Sequence, residues 1–287
     1  VPDVNYGPNS MIYNIIIWGG ADWDIDDMRN YWQPGKEGVQ QIYAEYQRYN
    51  NPWFLVKEWL RGHYLNSLNG YTSLSYKINK NLELVGRTSV STYDLLRTEK
   101  FPYSATTYGR EEARGDYRED IRKLFENNTE VLVKFNKKFF SDLSVSGLVG
   151  GNARSMRFNS NFTTTDYLNV PGVYTFANSR NPVKAANFSS EMLVLSAFSS
   201  VDISYKNYVN VGATVRWDKS SAIPDSKPGT YPSVSVSTVV SDYVKLPSAI
   251  SFLKLKGSFA SVRDGGTQAY IGAASYPIGY GAQYTTA

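Results

Sequence analysis

The feature that most constrains this chain is a two-residue rhythm that recurs in paired segments from residue 62 onward. In residues 209–217, Val209, Val211, Ala213, Val215 and Trp217 alternate with Asn210, Gly212, Thr214 and Arg216. Successive side chains of a β-strand point to opposite faces, so this spacing makes one face apolar and the other polar. The preceding segment, 196–205, repeats the pattern, with Val201, Ile203 and Tyr205 set against Ser200, Asp202 and Ser204. Only residues 206–208 remain for the turn. Two such runs joined this tightly predict a β-hairpin.

Three further pairs follow the same grammar. Strands at 68–78 and 82–93 flank a turn at 79–81. A strand at 129–135 turns through 136–142 into one carrying Leu143, Val145, Gly147 and Val149. Strands at 232–240 and 251–263 flank a turn at 241–249. The sum is eight strands in four hairpins, an all-β class. The connections 94–117 and 152–189, with 264–287, read as long loops. Short helical turns are expected at 24–31 and 117–125. Residues 1–61 hold five of the six Trp (Trp18, Trp23, Trp32, Trp53 and Trp59) and read as a folded, loop-rich segment preceding the hairpins of 62–287.

The phases sort the side chains by face. Glu83, Arg87, Asp202, Arg216, Lys254 and Lys256 fall on the polar face; Val209, Val211, Val215 and Trp217 fall on the apolar one. Alternation alone fits two architectures: a barrel wall between lipid and a watery lumen, or a soluble sheet with one face buried. No apolar run approaches the ~18–20 residues of a membrane helix. Short turns at one end and long loops at the other are the pattern of a bacterial outer-membrane barrel, whose ~25 Å apolar band is crossed by strands of about ten residues. In that setting the polar residues line the lumen and the apolar ones meet lipid.

Composition removes several functions. Without Cys there are no disulfides or thiolate metal sites, and one His gives little scope for multi-His zinc or His-dependent catalysis. A net charge of +4 is too small for a dedicated nucleic-acid binder. Aromatics at 15% with a mean hydropathy of −0.38 suit an outer-membrane β-protein or a carbohydrate-binding one. Asp22, Asp24, Asp26 and Asp27 lack the Gly and Glu of a calcium loop and read as a helix-start cluster. Gly147, Gly150 and Gly151 lack the Lys and helix of a phosphate loop and read as sites of close backbone approach. The mixed charges from Glu111 to Asp120 read as a solvated loop. No catalytic, cofactor or metal residue is expected, and the chain does not read as an enzyme. Its start, Val1-Pro2-Asp3, has no signal-peptide character.

Residues 202–221 read DISYKNYVNVGATVRWDKSS, followed by Tyr231-Pro232-Ser233-Val234-Ser235, then Leu253-Lys254-Leu255-Lys256-Gly257-Ser258-Phe259-Ala260 and Gly265-Gly266. Their order and spacing resemble the barrel of the SusC/RagA family of TonB-dependent outer-membrane transporters. Asn51-Pro52-Trp53-Phe54 is similar to the segment before an early barrel strand there, and Gly86-Arg87-Thr88 to a strand after a periplasmic turn. The resemblance implies import of oligosaccharides or peptides, a SusD-like surface lipoprotein as partner, TonB acting through a plug, and outer-membrane lipid around the barrel. Such barrels have about 22 strands. Eight cannot close one, so 1–287 is expected to be an internal piece of the barrel without the plug. Two other readings stand beside it: a surface or secreted β-protein that binds glycans through exposed aromatics, and a small eight-stranded barrel of its own.

Overall fold

A computed structural model describes residues 10–22, 24–44, 49–106, 110–206, 208–223 and 228–262. The expected loop at 264–287, Trp23, and Gly265 and Gly266 lie outside them. Eight strands form one sheet in sequence order: β1 (Leu60–Lys77), β2 (Leu82–Phe101), β3 (Asp116–Phe139), β4 (Leu143–Leu168), β5 (Ser179–Tyr205), β6 (Val209–Ser220), β7 (Gly229–Val239) and β8 (Lys254–Ala260). Among the described residues each strand pairs with its chain neighbours and with no other. Among the described residues β1 and β8 do not pair, so the sheet is open. The fold is the all-β, hairpin-built sheet that the alternation implied.

The register of β5 to β8 matches their two-residue alternation. Tyr205 pairs with Val209 across the 206–208 turn, Ile203 with Val211, and Ala197 with Trp217. On the other side of β6, Val211 pairs with Val236 and Ala213 with Val234. Val234 in turn pairs with Phe259. Apolar residues thus form continuous rows across four strands on one face. Asp202, Gly212, Ser235 and Ser258 form a row on the other.

Strand lengths depart from the sequence expectation. β3, β4 and β5 run for 24, 26 and 27 residues. Residues 94–101, 116–117, 152–168 and 179–189, expected within loops, are therefore strand, and the connections at that end of the strands are 102–115, 169–178 and 221–228. The helical turn expected at 117–125 is part of β3. Residues 24–31 contain one 3₁₀ turn, Asp27–Arg29. At the other end the first turn takes 78–81, one residue more than expected, the second shrinks to 140–142, and the last widens to 240–253.

The chain divides into two compact units, and β1 to β5 contribute to both. The first comprises Val1–Ser67, Thr92–Leu124 and Phe158–Ser189; the second comprises Leu68–Ser91, Phe125–Arg157 and Ser190–Ala287. In the first unit, helix α1 (Met11–Trp18) starts at Ser10, and α2 (Pro52–Glu58) leads almost directly into β1. Asn51 caps α2: its side-chain oxygen accepts from the amides of Trp53 and Phe54, and Pro52 suits the first helical position, where no backbone donor is needed. Phe54, Leu55, Trp59, Phe101 and Ala105 form the core, with Tyr31 and Trp32 packed on it. Trp59 and Phe101 meet edge to face at 4.4 Å between ring centroids. A buried polar knot fixes the long N-terminal segment beside β2. Gln41 donates from its side chain to Asn50 Oδ1 and the Ser104 carbonyl, and accepts from the amide of Asn51.

Candidate functional site

The second unit presents two faces of opposite chemistry. On the polar face the candidates make contacts across neighbouring strands. Arg87 on β2 pairs with Glu130 on β3 at 3.0 Å, and Glu83 lies 3.9 Å from Lys134. Arg216 on β6 bonds Asp218 Oδ1 at 2.7 Å and Ser196 Oγ at 2.9 Å. Thr214 and Ser233 hydroxyls bond at 2.6 Å. The Asp202 carboxylate leans over Gly212, where a Cβ would come within 2.8 Å of Oδ1 and 2.9 Å of Ser235 Oγ, so both side chains would have to move. Lys256 pairs with Ser237 in the same face, and Lys254 with Val239. Glu83, Lys134 and Asp202 help to line an open cleft of about 760 Å³.

The same face is the more enclosed one. Val85, Leu132 and Met192, which share its phase, are only 3%, 7% and 8% exposed. Gly150 permits this packing: a Cβ there would lie 2.7 Å from the Leu132 Cβ, so the close approach expected of that glycine is real. On the opposite face Val131, Val149, Phe259 and Leu74 are 53%, 59%, 70% and 76% exposed. Val211, Trp217, Val234, Val236 and Leu255 are exposed as well. A sheet folded for water alone would bury that face.

Aromatic side chains bound the exposed apolar rows. At the turn end of β5–β8, Tyr205 packs on Tyr208 at 6.0 Å, and Tyr208 on Tyr243 at 5.2 Å. Exposed Tyr76 and Phe140 flank the β1–β2 and β3–β4 turns. Trp217, also exposed, stands toward the far end of β6. Nine residue steps separate Tyr208 from Trp217, roughly 30 Å along a strand. A tilt of ~40° reduces that to ~23 Å of height, close to the ~25 Å apolar band of a membrane barrel. The alternation puts Trp217 on the apolar face but says nothing about Tyr208 and Tyr243, which lie outside the strands.

The first unit carries a denser charge network. Arg110 reaches Asp116 at 2.8 Å and Asp166 at 2.7 Å while its guanidinium stacks on Tyr167, 3.8 Å from the ring centroid. Asp116 is buried and also accepts from the Tyr167 amide and the Thr165 hydroxyl. Burial pushes its carboxyl above the usual range, with Arg110 pulling the other way. The hydrogen bond from Arg110 holds Asp166 below that range. Burial beside Glu58 pushes the Tyr31 hydroxyl up to about 12. The run expected as a solvated loop from Glu111 to Asp120 is therefore half strand, and its Asp116 is a buried anchor. Asp26 of the aspartate cluster pairs with Arg29 at 2.8 Å beside the 3₁₀ turn. Among the described residues, no three His, Asp or Glu side chains converge to hold a metal.

No family model and no curated protein matches the chain. Solved structures are similar in fold. The structure of the RagAB peptide transporter aligns at a TM-score of 0.66 and 15% identity, over 78% of this chain and 25% of that one. The RagAB peptide importer in the open-open state aligns at 0.67 and 16%, and in the closed-closed state at 0.66 and 15%, with the same coverage. The chain thus spans about a quarter of the length of the chains it matches. With an open antiparallel sheet, chain-order pairing and one exposed apolar face, it shares the fold of the matched part of those transporter structures.

Proposed function

We propose that this chain is part of the wall of an outer-membrane transporter that imports peptides. The observation that carries this reading is the sheet of the second unit, apolar and exposed on one face between aromatic ends, polar and ion-paired on the other. Lipid covers the face of Val209, Val211, Val215 and Trp217. The passage runs past Glu83, Arg87, Asp202, Arg216, Lys254 and Lys256. Peptides are favoured over oligosaccharides because the similar structures are of a peptide transporter. The connections 102–115 and 169–178, with residues 1–61, face outward and meet a SusD-like lipoprotein; the turns at 78–81, 140–142 and 206–208 face the periplasm. TonB supplies energy through a plug. A surface glycan binder is disfavoured, since Trp32 and Trp59 are spent on a packed core rather than held out to sugar rings.

Thiols introduced one at a time test the assignment, because this chain has no cysteine of its own. In the full-length protein in membranes, cysteine at Thr214 or Asn210 should react with a charged maleimide added in water. Cysteine at Val211 or Val215 should not, and a fluorophore attached there after unfolding should be quenched by brominated lipid once refolded. Equal labelling at Thr214 and Val211 would remove the reading.

A further inference from the structure

The first unit contains a second cleft, of about 480 Å³, lined by Arg61, His63, Arg97, Glu99, Arg118, Asp120 and neighbouring residues. Its floor is a charge grid on three strands. In one row Glu99 of β2 lies between Arg61 of β1 at 3.0 Å and Arg118 of β3 at 3.2 Å, and also accepts from the Trp59 indole at 2.7 Å. Two residues along each strand, antiparallel pairing brings His63, Arg97 and Asp120 into the next row. The two carboxylates are the less exposed members and both are engaged: Glu99 as described, and Asp120 by Arg122 through bonds of 3.0 and 3.1 Å. Arg97 is exposed and has neither ion pair nor hydrogen bond among the described residues. The lining therefore holds three guanidiniums against two carboxylates that are already spoken for. The half-exposed ring of Phe162 closes one side.

We propose that this cleft binds a carboxylate of the transported peptide, with Arg97 as the receiving group and His63 beside it, so that the passage prefers acidic peptides. An unpaired guanidinium offers two parallel donors to a carboxylate, and neighbouring Arg61 and Arg118 leave the local field positive. Phe162 supplies an apolar surface for the adjoining part of the peptide. The proposal rests on the peptide-import reading.

Calorimetry on the purified full-length protein in detergent, with a short Glu-containing peptide and its Gln counterpart, separates the two. The wild type should bind the Glu peptide about ten- to a hundredfold more tightly than the Gln peptide, the range of one charge-assisted hydrogen-bonded contact. Arg97→Ala should abolish that preference while binding of the Gln peptide stays unchanged, and Arg97→Lys should keep part of it. The preference should shrink in high salt. Equal binding of the two peptides by the wild type, or an undiminished preference in Arg97→Ala, would overturn the acidic-peptide site while leaving peptide import intact. Failure of the folded protein to bind either peptide would sink peptide import and this site together.

Discussion

Replacing Val211 by Arg tests the proposed lipid face most directly. Val211 pairs with Ile203 on one side and Val236 on the other, so its side chain sits in a row with no polar partner on either neighbouring strand. It lies three steps from Tyr208 and six from Trp217 along the strand. With a rise of ~3.3 Å and a tilt of ~40°, that is ~4 Å from the middle of the apolar band. An Arg at the midplane of a membrane barrel costs ~2–4 kcal/mol and one at the interface ~0–1. Interpolation gives about 2–3 kcal/mol for Val211→Arg, a roughly 30- to 150-fold drop in the folding equilibrium. Val209→Arg, one step from Tyr208, should cost under ~1 kcal/mol by the same gradient. Thr214→Arg, on the polar face beside Ser200 and Ser233, gives up one exposed hydroxyl bond and should also cost under ~1 kcal/mol. The assay is reversible urea unfolding of the full-length protein in lipid vesicles, read by tryptophan fluorescence. Equal losses at Val211 and Thr214, or a larger loss at Val209 than at Val211, would refute the assigned phase and depth.

Other consequences are local. Arg110→Ala leaves buried Asp116 without its close cation and should destabilise the first unit by about 3 kcal/mol in thermal unfolding. Because the folded state raises the Asp116 pKa, it holds that proton more tightly than the unfolded chain, so the deficit should narrow as pH falls through the raised value. Asp166 acts with the opposite sign: its contribution is full above the ordinary aspartate pKa and disappears as pH falls through the lowered folded value, so Asp166→Asn should matter at neutral pH and much less in strong acid. Gly150→Ala forces a Cβ against Leu132 and the Val131 carbonyl, both at 2.7 Å, and should cost ~1–3 kcal/mol, whereas Gly86→Ala meets nothing within 4 Å and should be tolerated in the same urea titration. Asn51→Ala removes the cap of α2 and should lower the first unit's stability by ~1–2 kcal/mol, visible as faster proteolysis between Trp53 and Leu60.

The hairpin order, the 206–208 turn and the faces of β5 to β8 were legible in the sequence because one face of each strand there is continuously apolar. The outer halves of β3 to β5 were not, and β3 explains why. Tyr117, Ile121, Leu124 and Phe125 recur at helical spacing, so a count of apolar residues favours a helical turn there. Yet Arg118, Asp120 and Arg122 alternate on one face, and Arg118 meets Glu99 of the neighbouring strand. The two-residue period is present, written in charge instead of apolarity. A strand wetted on both faces has no apolar side to repeat, and only cross-strand charge pairs and backbone bonds fix its register. The alternation passes from charge at Asp116–Arg122 to apolarity at Val131, Val133 and Phe135 on the same strand. The same change occurs on β2, where Arg97 and Glu99 belong to the charge grid and Leu84 lies on the exposed apolar face. On the proposed barrel-wall reading, the transition marks where a strand leaves lipid for water. Buried Asp116 and the tyrosine cluster of Tyr205, Tyr208 and Tyr243 depend on residues far apart in the chain, and no local pattern carries them.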